Sequence, residues 1–197
     1  MEAMRTGTIN KNQKAKVKVW GLFVRVFHWL LVVLFFMEFL VDQDSNELHS
    51  FLGFSILLLL ALRILYGFTS SQYARFSNFI YSPRVALNYI VSVFNFSAKR
   101  YIGHNPAGGL MIVVMIVLLV ATVISGVLSL PYGERVGVLS IINIFPVWLL
   151  AVAEETHELL TKLSLFLVAI HVTGVLIESI LHQENLIGSM ITGRKNR

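Results

Sequence analysis

Cysteine is absent from this chain of 197 residues, and charged side chains make up only 14% of it. Without a thiol, the chain forms no disulfide, holds no iron–sulfur cluster and offers haem neither a thiolate ligand nor a c-type attachment motif. The low charge accompanies 56% hydrophobic residues and a mean hydropathy of +0.73, far from an average soluble domain. The sequence also lacks a catalytic triad, a phosphate loop and a catalytic carboxylate pair, so hydrolytic and transferase activities are not indicated.

Long apolar runs occupy most of the chain. Four of them are long enough to cross a bilayer, at about 19–41, 48–68, 110–130 and 157–182. The first run is not a cleaved signal peptide, because it is too long, contains Arg25 and has no small-residue cleavage site. We therefore expect an all-α membrane protein, in which a four-transmembrane-helix domain (19–197) follows a basic tail (1–18).

The distribution of charge predicts the topology. Lysine and arginine concentrate in the N-terminal tail, in the connection between the second and third spans, and at the C-terminus. The other two connections hold mostly acids. By the positive-inside rule, both termini and the middle connection are cytoplasmic. The net charge of +5 follows from this topology and does not indicate nucleic-acid binding.

Two histidines fourteen residues apart in the fourth span are the main functional signal. The interval between His157 and His171 is almost four helical turns, so both imidazoles lie on nearly one face, about 21 Å apart along the axis. That distance is most of the depth of a bilayer core. In the predicted topology, His28 lies at the inner level of His171, and His49 lies at the outer level of His157. The four histidines therefore form two pairs, and the members of each pair lie at the same depth in the membrane.

Paired imidazoles inside a membrane indicate haem. Ionisable residues at that depth are costly and usually functional, although a single histidine could equally be a hydrogen-bonded structural residue. Neutral imidazole is a standard axial ligand of haem iron, whereas structural zinc normally takes four ligands at one place. Gly53 and Gly174 lie on the faces of His49 and His171 and remove bulk where a porphyrin would press on the backbone. The sequence thus predicts two haem groups, each held by one pair.

Four stretches are distinctive in combination: VWGLFVRVFHWLLVVLF (19–35), RILYGFTSSQYARFSNFIYSPR (63–84), RYIGHNPAGGLM (100–111) and the segment 154–195. Together they resemble the bacterial cytochrome b561 family, which includes the cytochrome b subunits of nickel–iron hydrogenases. Their order and spacing follow the family from about residue 17 to the C-terminus. The resemblance implies a four-helix cytochrome of the bacterial inner membrane with two haem b groups, and its ligand positions match the same four histidines.

Further polar residues near the inner surface are candidates for haem propionate or quinone contacts. His104 precedes the third span and His182 ends the fourth; the alternative is that each only caps a helix. With Arg100 and Asn105, they are predicted to hold propionates or to bind a quinone head group and pass it protons. Arg25, one turn before the first-span histidine, is another candidate propionate partner, and its alternative is an inside-positive anchor.

Two connections are predicted to have structure of their own. Residues 82–96 form a proline-started amphipathic stretch, which predicts a surface helix at the inner interface. Residues 131–156 form a long, partly apolar outer loop broken at Pro146. Such a loop would cover the outer end of the bundle or present a docking surface.

The predicted function is electron transfer between membrane quinone and a periplasmic redox protein, such as a cytochrome c or an oxidoreductase subunit. Iron with two axial imidazoles has no open position, which suits electron transfer. One alternative is a superoxide:quinone oxidoreductase acting alone, with Arg135 and Lys162 as the outer cations. Another is the membrane anchor of a hydrogenase or dehydrogenase, although hydrogenase-type members commonly have a further helix or a longer chain. A haem-free transporter or structural bundle fits the intramembrane histidines poorly.

Overall fold

Four long apolar helices dominate the architecture. The computed structural model describes residues 16–41, 46–70, 73–130 and 137–197. Within these ranges the helices are α1 (Leu22–Leu40), α2 (Asn46–Thr69), α3 (Pro83–Phe94), α4 (Pro106–Leu128), α5 (Val147–Leu181) and α6 (Leu186–Thr192). Short 3₁₀ helices cover Phe76–Asn78 and Gly137–Ile144, and two strands are β1 (Lys16–Lys18) and β2 (Arg194–Asn196).

Helices α1, α2, α4 and α5 are long and apolar enough to cross a membrane. Between 6% and 28% of the residues in the most apolar part of each helix are buried inside the protein. Most of their apolar side chains therefore face outward, as expected for helices surrounded by lipid. The prediction of an all-α chain with four helices able to span a membrane is confirmed for the described residues.

The fourth span begins earlier than the sequence analysis placed it. Helix α5 starts at Val147 rather than at residue 157, and its 35 residues measure about 52 Å, longer than a bilayer core of about 30 Å. The predicted outer loop is therefore only partly a loop. Pro146 is the N-cap of α5 with extended backbone, so it precedes the helix instead of interrupting it. Residues 131–136 of that loop lie outside the described residues.

The centre of the bundle is packed with apolar side chains. Phe35 of α1, Ile56 and Leu60 of α2 and Leu119 of α4 form a buried cluster. Helix α4 contacts α2, α3 and α5, and α1 packs against α2. The predicted surface helix is α3, which contacts α4 and exposes apolar residues such as Phe94.

One end of the bundle, here called the terminal end, holds β1, β2 and α6. The two strands pair antiparallel, with Val17 opposite Lys195. The amides of Val19 and Trp20 donate to the carbonyl of Gly193, at 2.8 and 3.1 Å. Gly193 has φ +76°, and a Cβ there would lie 2.6 Å from the Trp20 carbonyl oxygen, so this position requires glycine. Part of the predicted tail is therefore a strand, and residues 1–15 lie outside the described residues.

Ion pairs close the terminal end. An oxygen of Glu184 lies 2.6 Å from Nη2 of Arg100, and the other lies 3.1 Å from Nζ of Lys195. The Lys195 ammonium also donates to the Tyr101 carbonyl. Burial alone would raise the pKa of Glu184, but the hydrogen bonds and charges of Arg100 and Lys195 lower it below its ordinary value.

We expect Glu184→Gln to destabilise the protein by about 3 kcal/mol at pH 7, because it leaves a buried ammonium without its counter-charge. The stabilisation that Glu184 provides is complete above its ordinary pKa of 4.5. It is lost as the pH falls through the lowered pKa of Glu184 in the folded protein. Thermal unfolding in detergent at pH 7 and at pH 3.5 measures both effects, and the difference in stability between the two proteins should be smaller at the lower pH.

Glu158→Gln is the matched control. Glu158 pairs with Lys162, but the two side chains are 69% and 70% exposed, so this pair contributes little. Equal losses of thermal stability in the two variants would contradict a special contribution from the Glu184 cluster.

Candidate functional site

Two histidine rings meet at the far end of the bundle, opposite the terminal end. His49 lies in the first turn of α2, and His157 is the eleventh residue of α5. Their ring centroids are 6.1 Å apart and the ring planes are perpendicular. A metal–nitrogen bond of about 2 Å places a ring centroid about 3 Å from the metal. The separation therefore suits two imidazoles that bind one ion from opposite sides.

The second nitrogen of each ring already has a partner. Nδ1 of His49 lies 2.7 Å from Oε2 of Glu38, at the end of α1. Nδ1 of His157 lies 2.8 Å from the backbone carbonyl of Thr122 and 3.4 Å from Oγ of Ser125, both in α4. Metal-binding histidines typically use one nitrogen in this way, which orients the ring and leaves Nε2 for the metal.

Gly126 provides the space for the His157 ring. A Cβ at Gly126 would lie 2.8 Å from Cε1 of His157, closer than side chains tolerate. The missing side chain lets the imidazole approach the α4 backbone and reach the Thr122 carbonyl. The predicted Gly53 makes only an ordinary contact, since its Cβ would lie 3.6 Å from Oε1 of Glu38.

The other histidine pair lies toward the terminal end. His28 and His171 are close enough for their charges to interact. Nδ1 of His28 is buried and has no hydrogen-bond partner within the described part of the chain. Such an orphaned nitrogen is costly unless a bound group accounts for it. Gly174 is exposed, and no atom outside its own helix backbone lies within 4 Å of its Cβ position, so its predicted role beside a porphyrin stays a prediction.

One comparison with known proteins identifies the family of the chain. The family model of prokaryotic cytochrome b561 matches residues 19–193. The chain belongs to the prokaryotic cytochrome b561 family. Searches of curated proteins and of solved structures found no match. The family implies haem b binding and electron transfer in a bacterial membrane.

The histidines fit the haem b of the cytochrome b561 family. Among the described residues, no three or more His, Cys, Asp or Glu side chains come together as a metal site. Two protein ligands suffice for haem, because the porphyrin supplies the other four nitrogens. The close pair of His49 and His157, with both Nδ1 atoms engaged, and the orphaned Nδ1 of His28 are suited to this group.

Two of the predicted propionate or quinone residues stand at the start of α4. His104 lies half-buried between the rings of Trp20 and Phe79, at centroid distances of 4.5 and 4.6 Å. Burial and nearby positive charge lower the pKa of His104 to about 3, so this imidazole is neutral. Asn105 caps α4, since its Oδ1 accepts from the amide of Gly108 at 2.7 Å. Its predicted contact with a ligand stays a prediction.

The remaining predicted residues have protein partners. Arg100 donates to Glu184 and to the carbonyl of Asn196. Arg25 donates to the Ile191 carbonyl at 2.5 Å, while its Nε is buried without a partner in the described chain. Nε2 of His182 lies 3.3 Å from Oε2 of Glu178. Their roles toward propionates or quinone also stay predictions.

Two charged residues near the histidine pairs were missed by the sequence analysis. Glu38 and Arg63 are ionisable residues within spans α1 and α2, and their side chains are nearly or fully buried. Their position inside apolar runs was a signal, because charges at membrane depth usually have a function. The contact between Glu38 and His49 could not be predicted from the spacing of residues along the sequence, because it depends on how α1 and α2 pack.

We expect Gly126→Leu to lower the haem content, because the larger side chain displaces the His157 ring. His28 and His171 lie at a level about 21 Å away along α5, so their surroundings should not change. Pyridine haemochrome analysis of purified protein measures the ratio of haem to chain. Val117→Leu, on an exposed part of the same helix, is the control. Full haem content in Gly126→Leu would contradict the claim that the His157 ring needs the space left by the glycine.

Proposed function

We propose that the chain is a transmembrane di-haem b-type cytochrome that transfers electrons between the quinone pool and a periplasmic redox protein. His49 and His157 would bind one haem, and His28 and His171 the other. The main support is the pair at the far end, where the ring spacing of 6.1 Å and both Nδ1 contacts suit axial ligation. When bound, haem iron supplies one-electron redox chemistry, and ligation by two imidazoles leaves it no open position.

The proposed orientation follows from the charges. The terminal end is basic, with Lys16, Lys18, Lys99, Arg100, Arg194, Lys195 and Arg197. By the positive-inside rule, this end would be cytoplasmic and the far end periplasmic, in the bacterial inner membrane. The His49–His157 pair would then face the periplasmic partner, and the His28–His171 pair would face the cytoplasmic side.

The residues between the levels of the two histidine pairs would keep the electron-transfer path short and free of water. Ser164 lies seven residues from both His157 and His171 and is 3% exposed. Its hydroxyl is 3.3 Å from Oγ1 of Thr122, so its polarity is satisfied inside the bundle. The apolar cluster around Leu60 fills the neighbouring space. This interior suits electron transfer along the membrane normal without a matching channel for protons.

Groups able to hold protons lie at the terminal end. The Tyr89 hydroxyl donates to Oε1 of Glu178 at 3.0 Å, and Glu178 also contacts His182. Burial, followed by the Glu178 carboxylate, raises the pKa of Tyr89, so this phenol stays protonated. A quinone takes up or releases protons when it changes redox state, and these side chains would exchange them with the cytoplasm. The cluster supports a quinone site near His182.

The membrane-anchor alternative has one specific observation in its favour. The first turns of α5 and the preceding 3₁₀ helix expose Ile144, Val147 and Trp148, at 72%, 81% and 67%. These apolar side chains lie at the far end, where a soluble subunit would dock. Co-purification of a soluble oxidoreductase subunit would favour this function. The superoxide alternative gains no comparable support, because the Lys162 ammonium is paired with Glu158.

The di-haem proposal is tested by counting haems and removing ligands. We expect about two haem b per chain, and about one in His49→Ala and in His28→Ala, with different residual spectra. Val117→Leu, on an exposed part of α4, should keep both. Haem analysis and reduced-minus-oxidised spectra measure this. No haem in wild-type protein expressed with added haem would refute the proposal.

Glu38 should tune the haem at the far end. A carboxylate beside Nδ1 makes the axial imidazole of His49 a stronger donor, which stabilises the oxidised iron. Glu38→Gln is therefore expected to raise the midpoint potential of one haem and leave the other unchanged. Glu47→Gln, an exposed acid at the same end of α2, is the matched control. Spectroelectrochemical titration measures the potentials, and an identical titration curve for Glu38→Gln would count against this role.

A further inference from the structure

A buried arginine lies at the level of the His28–His171 pair. Arg63 is 3% exposed and follows His49 by fourteen residues in α2. That interval is nearly four turns, so Arg63 lies on almost the same helix face, about 21 Å closer to the terminal end. The same interval separates His157 from His171 on α5. Arg63 thus occupies in α2 the level that His171 occupies in α5.

The guanidinium of Arg63 lacks a counter-charge among the described residues. Its Nη2 makes one long hydrogen bond of 3.5 Å to the Ala74 carbonyl, and its Nη1 is buried without a partner. Its Cζ lies 5.0 Å from the centre of the Phe76 ring. A buried charge with so few partners is strongly destabilising unless an anion is bound.

The acids described at the terminal end have other partners. The carboxylate of Glu184 is engaged by Arg100 and Lys195, and that of Glu178 by Tyr89. His104 packs against Phe79, and the Phe79 ring in turn lies 5.7 Å from the ring of Phe76 that the Arg63 guanidinium contacts. Nδ1 of His104 is buried without a described partner. Arg63 and His104 therefore offer two unsatisfied nitrogens in one buried, positively charged place beside the histidine pair.

We propose that Arg63 and His104 form a buried carboxylate site, and that its occupant is a propionate of the haem held by His28 and His171. This inference rests on the proposed di-haem function. Haem b has two carboxylates, and the planar guanidinium binds a carboxylate through two parallel hydrogen bonds. A propionate arrives with the haem, so no separate path for an anion into this buried place is needed. Arg63 was not among the residues predicted from sequence for this role.

The experiment compares wild type, Arg63→Gln and Arg63→Lys, purified in detergent with haem whose propionate carboxyl carbons carry ¹³C. Redox difference infrared spectra identify the carboxylate bands that the label moves. We expect a label-sensitive band to shift in Arg63→Gln, and to shift less in Arg63→Lys, which keeps the charge but loses the planar fork. Arg84→Gln, which removes an exposed arginine at the start of α3, should leave the band unchanged.

Redox titration of the same proteins gives a second readout. Loss of a positive charge beside the haem disfavours the added electron, so we expect the reduced-to-oxidised ratio of one haem to fall about tenfold at a fixed potential in Arg63→Gln. Arg63→Lys should stay close to wild type. If Arg63→Gln does not fold, the infrared shift and near-normal potential of Arg63→Lys still test the site.

Several outcomes would overturn the inference and remain distinct from failure of the di-haem function. Two haems with unchanged infrared bands and potentials in both Arg63 variants would make Arg63 a packing residue only. A wild-type potential that changes with added phosphate or anionic lipid at constant ionic strength would assign the site to an exchangeable anion. Absence of haem from the wild type would instead refute the proposed function itself.

Discussion

The hydrogen bond between Nδ1 of His157 and the Thr122 carbonyl is the contact on which the far end depends. It requires α4 and α5 to approach closely, and Gly126 permits this because it has no side chain in the way of the ring. The bond fixes the ring orientation of His157 and therefore which nitrogen faces His49. In a membrane, where apolar burial between helices adds little, close backbone approach and interhelical polar contacts of this kind stabilise a bundle.

The two histidine pairs differ in their surroundings. At the far end, the imidazole of His49 lies beside the Glu38 carboxylate, and that of His157 contacts a backbone carbonyl. At the other level, the guanidinium of Arg63 has no acidic partner among the described residues. The nearby ammonium of Lys195 is paired with Glu184. In the proposed di-haem protein, a carboxylate near one pair and a guanidinium near the other would give two otherwise similar haems different electron affinities. The protein thus has the means to make the two sites unequal.

Much of this arrangement was predictable from spacing. Four apolar runs gave the number of spans, and the interval of fourteen residues between His157 and His171 indicated two levels on one helix. The close approach of His49 to His157 agrees with the depth argument. Spacing along one helix could not identify Glu38 or Gly126, because their roles depend on the rotation of neighbouring helices. It also missed the first ten residues of α5, since a proline followed by apolar residues can end a loop or begin a helix.

The antiparallel pairing of Lys16–Lys18 with Arg194–Asn196 has a consequence for biogenesis. Strand β2 is synthesised only after all four spans, whereas β1 leaves the ribosome before the first of them. Until β2 arrives, the amides of Val19 and Trp20 lack their acceptor, the Gly193 carbonyl. Closure of this end therefore cannot precede synthesis of the fourth span, and it brings together segments that lie far apart along the described chain. A cofactor bound near the terminal end could enter before that step and be enclosed by it.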